Sequence, residues 1–227
     1  MKTSTQTHVP LSSDFPLYPE AEMKARAIAF HKQMQSRRSV RSFSDKPVPH
    51  EIIEHCVLTA GSAPSGANHQ PWYFSCVGSD EKKAEIRIAA EAEEREFYSG
   101  RAAQEWIDAL APIGTDADKP YMQIAPWLIC IFAQRRGGIR EGDDKKNYYI
   151  HESVGIATGI LISACHNAGL ATLVHTPNPM KFLNDICGRP KTEKPFLILV
   201  AGYPAENAMV PNHALIKKPL EEIASFL

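Results

Sequence analysis

The chain reads as an α+β protein in which a mixed sheet is sandwiched by helices on both faces. Two stretches carry that reading. "PWLICIFA" at 126–133 is apolar throughout at strand length, the pattern of a central strand covered on both sides. "NYYIHESVGIATGILISACHNAGL" at 147–170 is apolar on nearly all sides, which suits a central helix or an oligomer interface. The other elements follow in order. Residues 1–19, rich in Ser, Thr and Pro without periodicity, form an extended arm, and residues 20–227 one domain. A first helix starts near Pro19 and runs to about Ser36; a second, "PHEIIEHCVLTAG", opens on a proline and stops at Gly61. "PWYFSCVG" from Pro71 is a strand, and Ser79 or Asp80 caps a helix that gives way near Gly100. Pro112, Gly114 and Pro120 mark a mobile lid over about 98–122. Gly169 ends the long helix. The strand "ATLVHT", a short helix around "KFLNDICG", the strand "PFLILVAGYP" and a tail with "IKKPLEEIASFL" complete the chain.

Composition narrows the function. At 227 residues, 44% hydrophobic and 22% charged, the chain can bury one sizeable core. A formal net charge of −1 offers no basic field for nucleic acid, and no apolar run reaches membrane-spanning length. Cys56, Cys76, Cys130, Cys165 and Cys187 are scattered, mostly inside apolar segments, without a CxxC pair or secretory leader; reduced, buried thiols and a cytoplasmic location are expected. His166 follows Cys165, but no HExxH or other ligand spacing supports a metal.

Three stretches can carry chemistry. In "EAEEREFYSG", steps of four back from Tyr98 pass through Glu94 to Ala90 and Ile86, so Glu94 falls on the apolar stripe of its helix. Spacing alone also allows a surface glutamate paired with Arg95 or Arg101. "RRSVRSF" packs Arg37, Arg38 and Arg41 with two serines into a short connector, a cluster suited to phosphate or equally to a solvated basic loop. "APSGANHQPW" at 63–72 is a Pro-Ser-Gly turn with backbone and side-chain amides for a polar ligand, and Lys217 and Lys218 add charge near the end. No GxGxxG follows a strand and no GxxxxGK[ST] occurs, so a bound nucleotide is not held in the Rossmann or P-loop manner.

"RRSVRSF", "APSGANHQPW", the late "GYP" and a basic residue before the final proline together resemble the FMN-dependent nitroreductase superfamily over roughly residues 30–220. "EEREFY", "KPYMQIAPWLICIF", the 147–170 block and "HTP" are similar to its iodotyrosine deiodinase branch. The resemblance implies FMN as cofactor and an intertwined homodimer with FMN at the subunit interface. It makes Arg37, Arg38 and Ser39 contacts to the FMN phosphate and ribityl chain, and puts Arg41 at the N1/O2 edge. Val40, Ser65, Val174, His175 and Thr176 join the flavin site, with the Thr176 hydroxyl beside N5. The Ala67 N–H would donate to a substrate phenolate. Lys217 stands where the family has a phosphate-binding arginine, so a point charge replaces a fork. Glu94, Tyr98 and Lys119 match the residues that grip the substrate's zwitterion, Glu94 at the ammonium and the other two at the carboxylate.

The activity so implied is FMN-dependent reductive dehalogenation of 3-iodo-L-tyrosine and other halotyrosines to tyrosine and halide, with electrons from NADPH or a reductase and catalysis by Thr176 and Ala67. A general NAD(P)H-dependent nitroaromatic or quinone reductase would share the flavin site without needing Glu94, Tyr98 and Lys119 to converge. A non-catalytic module that sequesters flavin or halotyrosine would release no halide.

Overall fold

The computed structural model describes residues 8–140 and 142–227; the first seven positions of the expected arm lie outside the described residues. The chain divides into two compact units at the Ser36–Arg37 junction. In the first, residues 8–19 contain no helix or strand, and α1 (Glu20–Ser36) follows Pro19 with Glu20 and Glu22 in its first turn, where acids complement the free N–H groups. A Glu22–Arg26 pair at 2.7 Å links successive turns, and the Arg26 guanidinium lies 4.1 Å from the Tyr18 ring centroid.

The second unit carries α2 (His50–Gly61), β1 (Trp72–Val77), α3 (Asp80–Glu96), α4 (Gln104–Leu110), α5 (Tyr121–Ile124), β2 (Trp127–Gln134), a small hairpin of β3 (Arg136–Gly137) and β4 (Lys145–Lys146), α6 (Ile150–Asn167), β5 (Ala171–His175), α7 (Phe182–Ile186) and β6 (Glu193–Gly202). The main sheet has the order β1-β2-β6-β5 with every neighbour antiparallel; its parallel component is the single bridge Ser39↔Thr172. β2 is central, as its apolar run requires. Leu128, Cys130 and Phe132 face one core with Ile86 and Ala90 of α3 and Leu183 of α7, whereas Ile129, Ile131 and Ala133 face the other with Ile53 of α2 and Val154 and Leu161 of α6. Alternate residues of one strand thus seed two cores, which is the helix–sheet–helix sandwich expected.

Three local expectations are corrected. α6 begins at Ile150 rather than 147: the Asn147 side chain donates to the Gln134 carbonyl at 2.8 Å and shares a hydrogen bond with His69 Nδ1 at 2.9 Å, and Tyr149 is left-handed at φ 49°. Side-chain bonds to non-local partners there displace helix propagation. The 98–122 segment, expected as a lid, contains α4, which was not among the expected elements. Finally, Cys56, Cys130 and Cys165 are buried, but Cys76 is exposed and Cys187 half-buried; all five are free thiols. Among the described residues no helix is long and apolar enough to cross a membrane.

Gly202 ends β6 against the start of β2: a Cβ there would lie 2.5 Å from Pro126 Cδ and 2.9 Å from Cγ. The ring cannot rotate away. Gly202→Ala should therefore lower stability by about 1–3 kcal/mol, read as a drop in thermal midpoint of a few degrees.

Candidate active site

α3 runs from a core anchor into the site. Ile86 and Ala90 are fully buried, and one turn later the same face delivers Glu94, whose side chain is only 13% exposed. The helix then loosens into a π-type segment, Phe97–Arg101, completed at Gly100 by a φ of 154°. Such one-turn irregularities recur where side chains are re-aimed at functional sites. Here the segment presents Tyr98, whose hydroxyl donates to the Thr115 carbonyl at 3.2 Å.

Lys119 comes back to this helix end from the lid. Its backbone N–H donates to Glu91 Oε1 at 2.8 Å, and Glu91 in turn takes Arg87 Nε at 2.6 Å. Arg87 also holds Asp118 at 2.8 Å, so the lid base is clamped on both sides of the Asp118–Lys119 peptide. The Lys119 ammonium is 98% buried: it donates to Thr115 Oγ1 at 3.0 Å and to the Asp116 carbonyl, and meets Glu94 Oε2 at 3.4 Å. Burial raises the Glu94 pKa above the usual carboxylate range, with Lys119 opposing. Burial likewise raises Tyr98, which stays a neutral hydroxyl donor. The surface-glutamate alternative is excluded, because Arg95 pairs with Glu91 at 4.0 Å and Arg101 with Glu93 at 2.8 Å. The Arg87–Glu91 spacing of four was legible in the sequence; its service to Lys119 was not.

These groups open on a cavity of about 270 Å³. Arg41, Glu94, Tyr98, Lys119, Val174, His175 and Thr176 line it, with Phe97 and Trp106 of the lid packed edge to face at 4.9 Å between ring centroids. Arg41 is placed by backbone: Val40 N–H donates to the Thr172 carbonyl at 3.1 Å, and Val40 and Phe43 bury themselves on either side. The basic run thereby becomes an extended segment along β5, the edge strand, with Arg37, Arg38 and Arg41 half-buried and Val174 exposed. Cations beside an apolar strand edge fit a flat ligand that ends in phosphate.

Other expected residues do not line this cavity: Arg37, Arg38, Ser39 and Val40 precede Arg41 on the same segment, and Ser65, Ala67 and Lys217 lie on other segments. Ser65 accepts from the Gln70 N–H at 2.9 Å in a turn where Ala67, Asn68 and Gln70 are all left-handed, at φ 51°, 55° and 50°. Three such non-glycine residues in one turn are costly, a sign of a loop shaped for contact. Gly66 is required there, since a Cβ would sit 2.7 Å from the Tyr148 carbonyl oxygen. Lys217 lies on the exposed C-terminal segment and donates to the Ala214 carbonyl at 3.1 Å. A larger groove, of about 960 Å³, is lined by Cys76, Trp127 and Cys187 among others and shares no residue with the site. Its buried Lys83 is already satisfied by the Gln123 and Ala125 carbonyls and Asp80.

Fold and site together define a member of the nitroreductase family, and the chain belongs to it: the Nitroreductase family model matches residues 34–203. Membership makes it an oxidoreductase. The chain is 50% identical over 191 residues to iodotyrosine deiodinase of Haliscomenobacter hydrossis, covering 84% of this chain and 86% of that protein. It is 42% identical over 217 residues to human iodotyrosine deiodinase 1, covering 95% of this chain and 74% of the human protein. A solved structure of oxidised iodotyrosine deiodinase bound to FMN and 3-iodo-L-tyrosine superimposes with a TM-score of 0.70 at 28% identity, over 87% of this chain and 97% of that one.

Proposed function

We propose that this protein is an FMN-dependent reductive dehalogenase of 3-iodo-L-tyrosine and related halotyrosines. The observation that carries the reading is the convergence of Glu94, Tyr98 and Lys119, a half-buried acid, a hydroxyl and a buried ammonium, on one cavity beside Arg41 and Thr176. A nitroaromatic needs no such set; an amino-acid zwitterion needs both charges answered. Overall, the aryl halide takes up two electrons and one proton and releases arene and halide.

FMN supplies those electrons when bound. Arg37, Arg38 and Ser39 would hold its phosphate and ribityl chain, and Arg41 would answer negative charge at N1 and O2. Glu94 accepts from the substrate ammonium, and Tyr98 and Lys119 donate to its carboxylate. The bound zwitterion then ties α3 to the lid and helps exclude water. Ser65, Ala67 and Lys217 lie on segments apart from both the cavity and the basic run, and in this reading a second copy supplies them at the interface of a homodimer. α6 supports this, because beyond its buried side it leaves Ile156, Gly155 and Gly159 exposed. NADPH or a partner reductase renews the reducing equivalents. The test is a titration of the purified yellow protein: iodotyrosine, but not nitrobenzene, quenches flavin fluorescence, and the reduced protein releases iodide. Nitrobenzene binding with no iodide release would establish the general reductase instead.

Thr176 follows β5 and is exposed to the cavity. We assign its hydroxyl to flavin N5, where it can donate or accept as that atom changes protonation. Thr176→Ala should keep FMN and iodotyrosine binding and lose iodide release, while nitroaromatic reduction persists or rises. An unchanged ratio of the two rates would remove Thr176 from the mechanism.

A further inference from the structure

At the end of β5, Leu173 and His175 are buried and point into the protein while Val174 between them is exposed and points out. His175 is 7% exposed, and its ring stands edge-on to Tyr121 with centroids 6.1 Å apart. Its Nε2 is sealed from water and makes no hydrogen bond. Glu94 Oε1 faces it at 3.9 Å, beyond bonding distance. A buried ring nitrogen left without a partner is unfavourable, so this atom calls for an explanation.

The two oxygens of Glu94 supply one. Oε2 faces Lys119 at 3.4 Å and Oε1 faces His175 at 3.9 Å. Under the reading above, substrate turns the Lys119 ammonium toward the ligand carboxylate. Glu94 then loses its main partner at the moment it must stay ionised and aimed at the ligand ammonium. A short approach of Nε2–H to Oε1 replaces that partner. A charged imidazolium would repel the ligand ammonium, whereas a neutral ring donates without doing so. Burial, with Lys119 and Arg41 adding repulsion, lowers the His175 pKa to about 3, which keeps the ring neutral at physiological pH.

We propose that His175 is a positioning residue for Glu94: its Nε2–H donates to Oε1 when the lid closes, and holds the carboxylate toward the amino group of the substrate. The proposal rests on the halotyrosine reading, and the test separates the two. FMN-loaded protein is titrated by flavin quenching with 3-iodo-L-tyrosine and with 3-(3-iodo-4-hydroxyphenyl)propionate, which lacks the ammonium. His175→Leu should weaken iodotyrosine about tenfold and leave the propionate unchanged, whereas His175→Gln, whose amide nitrogen reaches the Nε2 position, should come back to within about threefold of the parent. In a Glu94→Gln background His175→Leu should have no further effect on iodotyrosine, because the group it positions is gone. Equal weakening of both ligands, or additive losses in the double variant, would overturn the proposal. If His175→Leu fails to retain FMN, His175→Asn decides: it is polar but too short to reach Glu94, and parent-like iodotyrosine affinity in it overturns the proposal as well. A parent protein that binds neither ligand refutes the halotyrosine reading together with this inference; a parent that binds iodotyrosine tightly but ignores His175 refutes this inference alone.

Discussion

Arg38→Ala combined with Arg41→Ala is expected to give a folded protein that purifies largely without FMN. The segment keeps its path, because Val40 and Phe43 remain buried and the Val40 N–H still bonds the Thr172 carbonyl at 3.1 Å. Both side chains are half-buried, Arg41 lining the cavity and Arg38 donating to the Arg37 carbonyl at 2.6 Å, so their loss removes little packing. What is lost is charge-assisted bonding to phosphate and flavin oxygens, about 1.5–3 kcal/mol for each contact, or together a rise in FMN dissociation constant of roughly two to four orders of magnitude. The ratio of flavin to protein absorbance after gel filtration measures it, with the thermal midpoint as the check on folding. A double variant that stays fully yellow would show that the basic run is the solvated loop its composition equally allowed.

Glu94→Gln should leave FMN content unchanged and weaken 3-iodo-L-tyrosine by at least about tenfold, and by more if truncating a buried charge pair carries its usual cost of 2–5 kcal/mol. The side chain keeps its shape but no longer answers the ammonium, and Lys119, 98% buried, is left without its acid. An iodophenol without a zwitterion should bind poorly to the parent and ignore the substitution. The pH dependence has a defined sign. Glu94 binds the ammonium only when ionised, and its pKa lies above the usual carboxylate range because of burial. Affinity is therefore full well above that raised pKa and falls as pH drops through it, and Glu94→Gln should flatten that limb. Parent-like affinity in the variant would return Glu94 to the role of a structural acid.

How far the sequence reached can be judged from particular residues. The continuous apolar run in β2 announced burial on both faces, and the Ile86–Ala90–Glu94 stripe announced an acid at the inner side of a helix end. Both are local periodicities, and both survive into the structure because packing reinforced them. The start of α6 was misplaced by three residues because Asn147 bonds Gln134 and His69, partners far along the chain. The helix α4 was missed because neighbouring Pro112 and Gly114 dominate the composition of its segment.

Most of the elements, the cationic run, the acid at the end of α3 and, through shared motifs, the family are legible in the chain alone. These are properties of contiguous residues, written in spacing and residue type. Folding in three dimensions sets which oxygen of Glu94 meets Lys119 and which faces His175, makes Arg87 and Glu91 clamp the base of the lid, and opens Arg41 onto the same cavity as Thr176. It also left Arg37, Arg38, Ser39, Val40, Ser65, Ala67 and Lys217 outside the lining of that cavity. α3, the lid and β5 meet through side chains that bury on one face of a sheet. That packing sets distances between residues far apart in the chain, which local propensity does not encode.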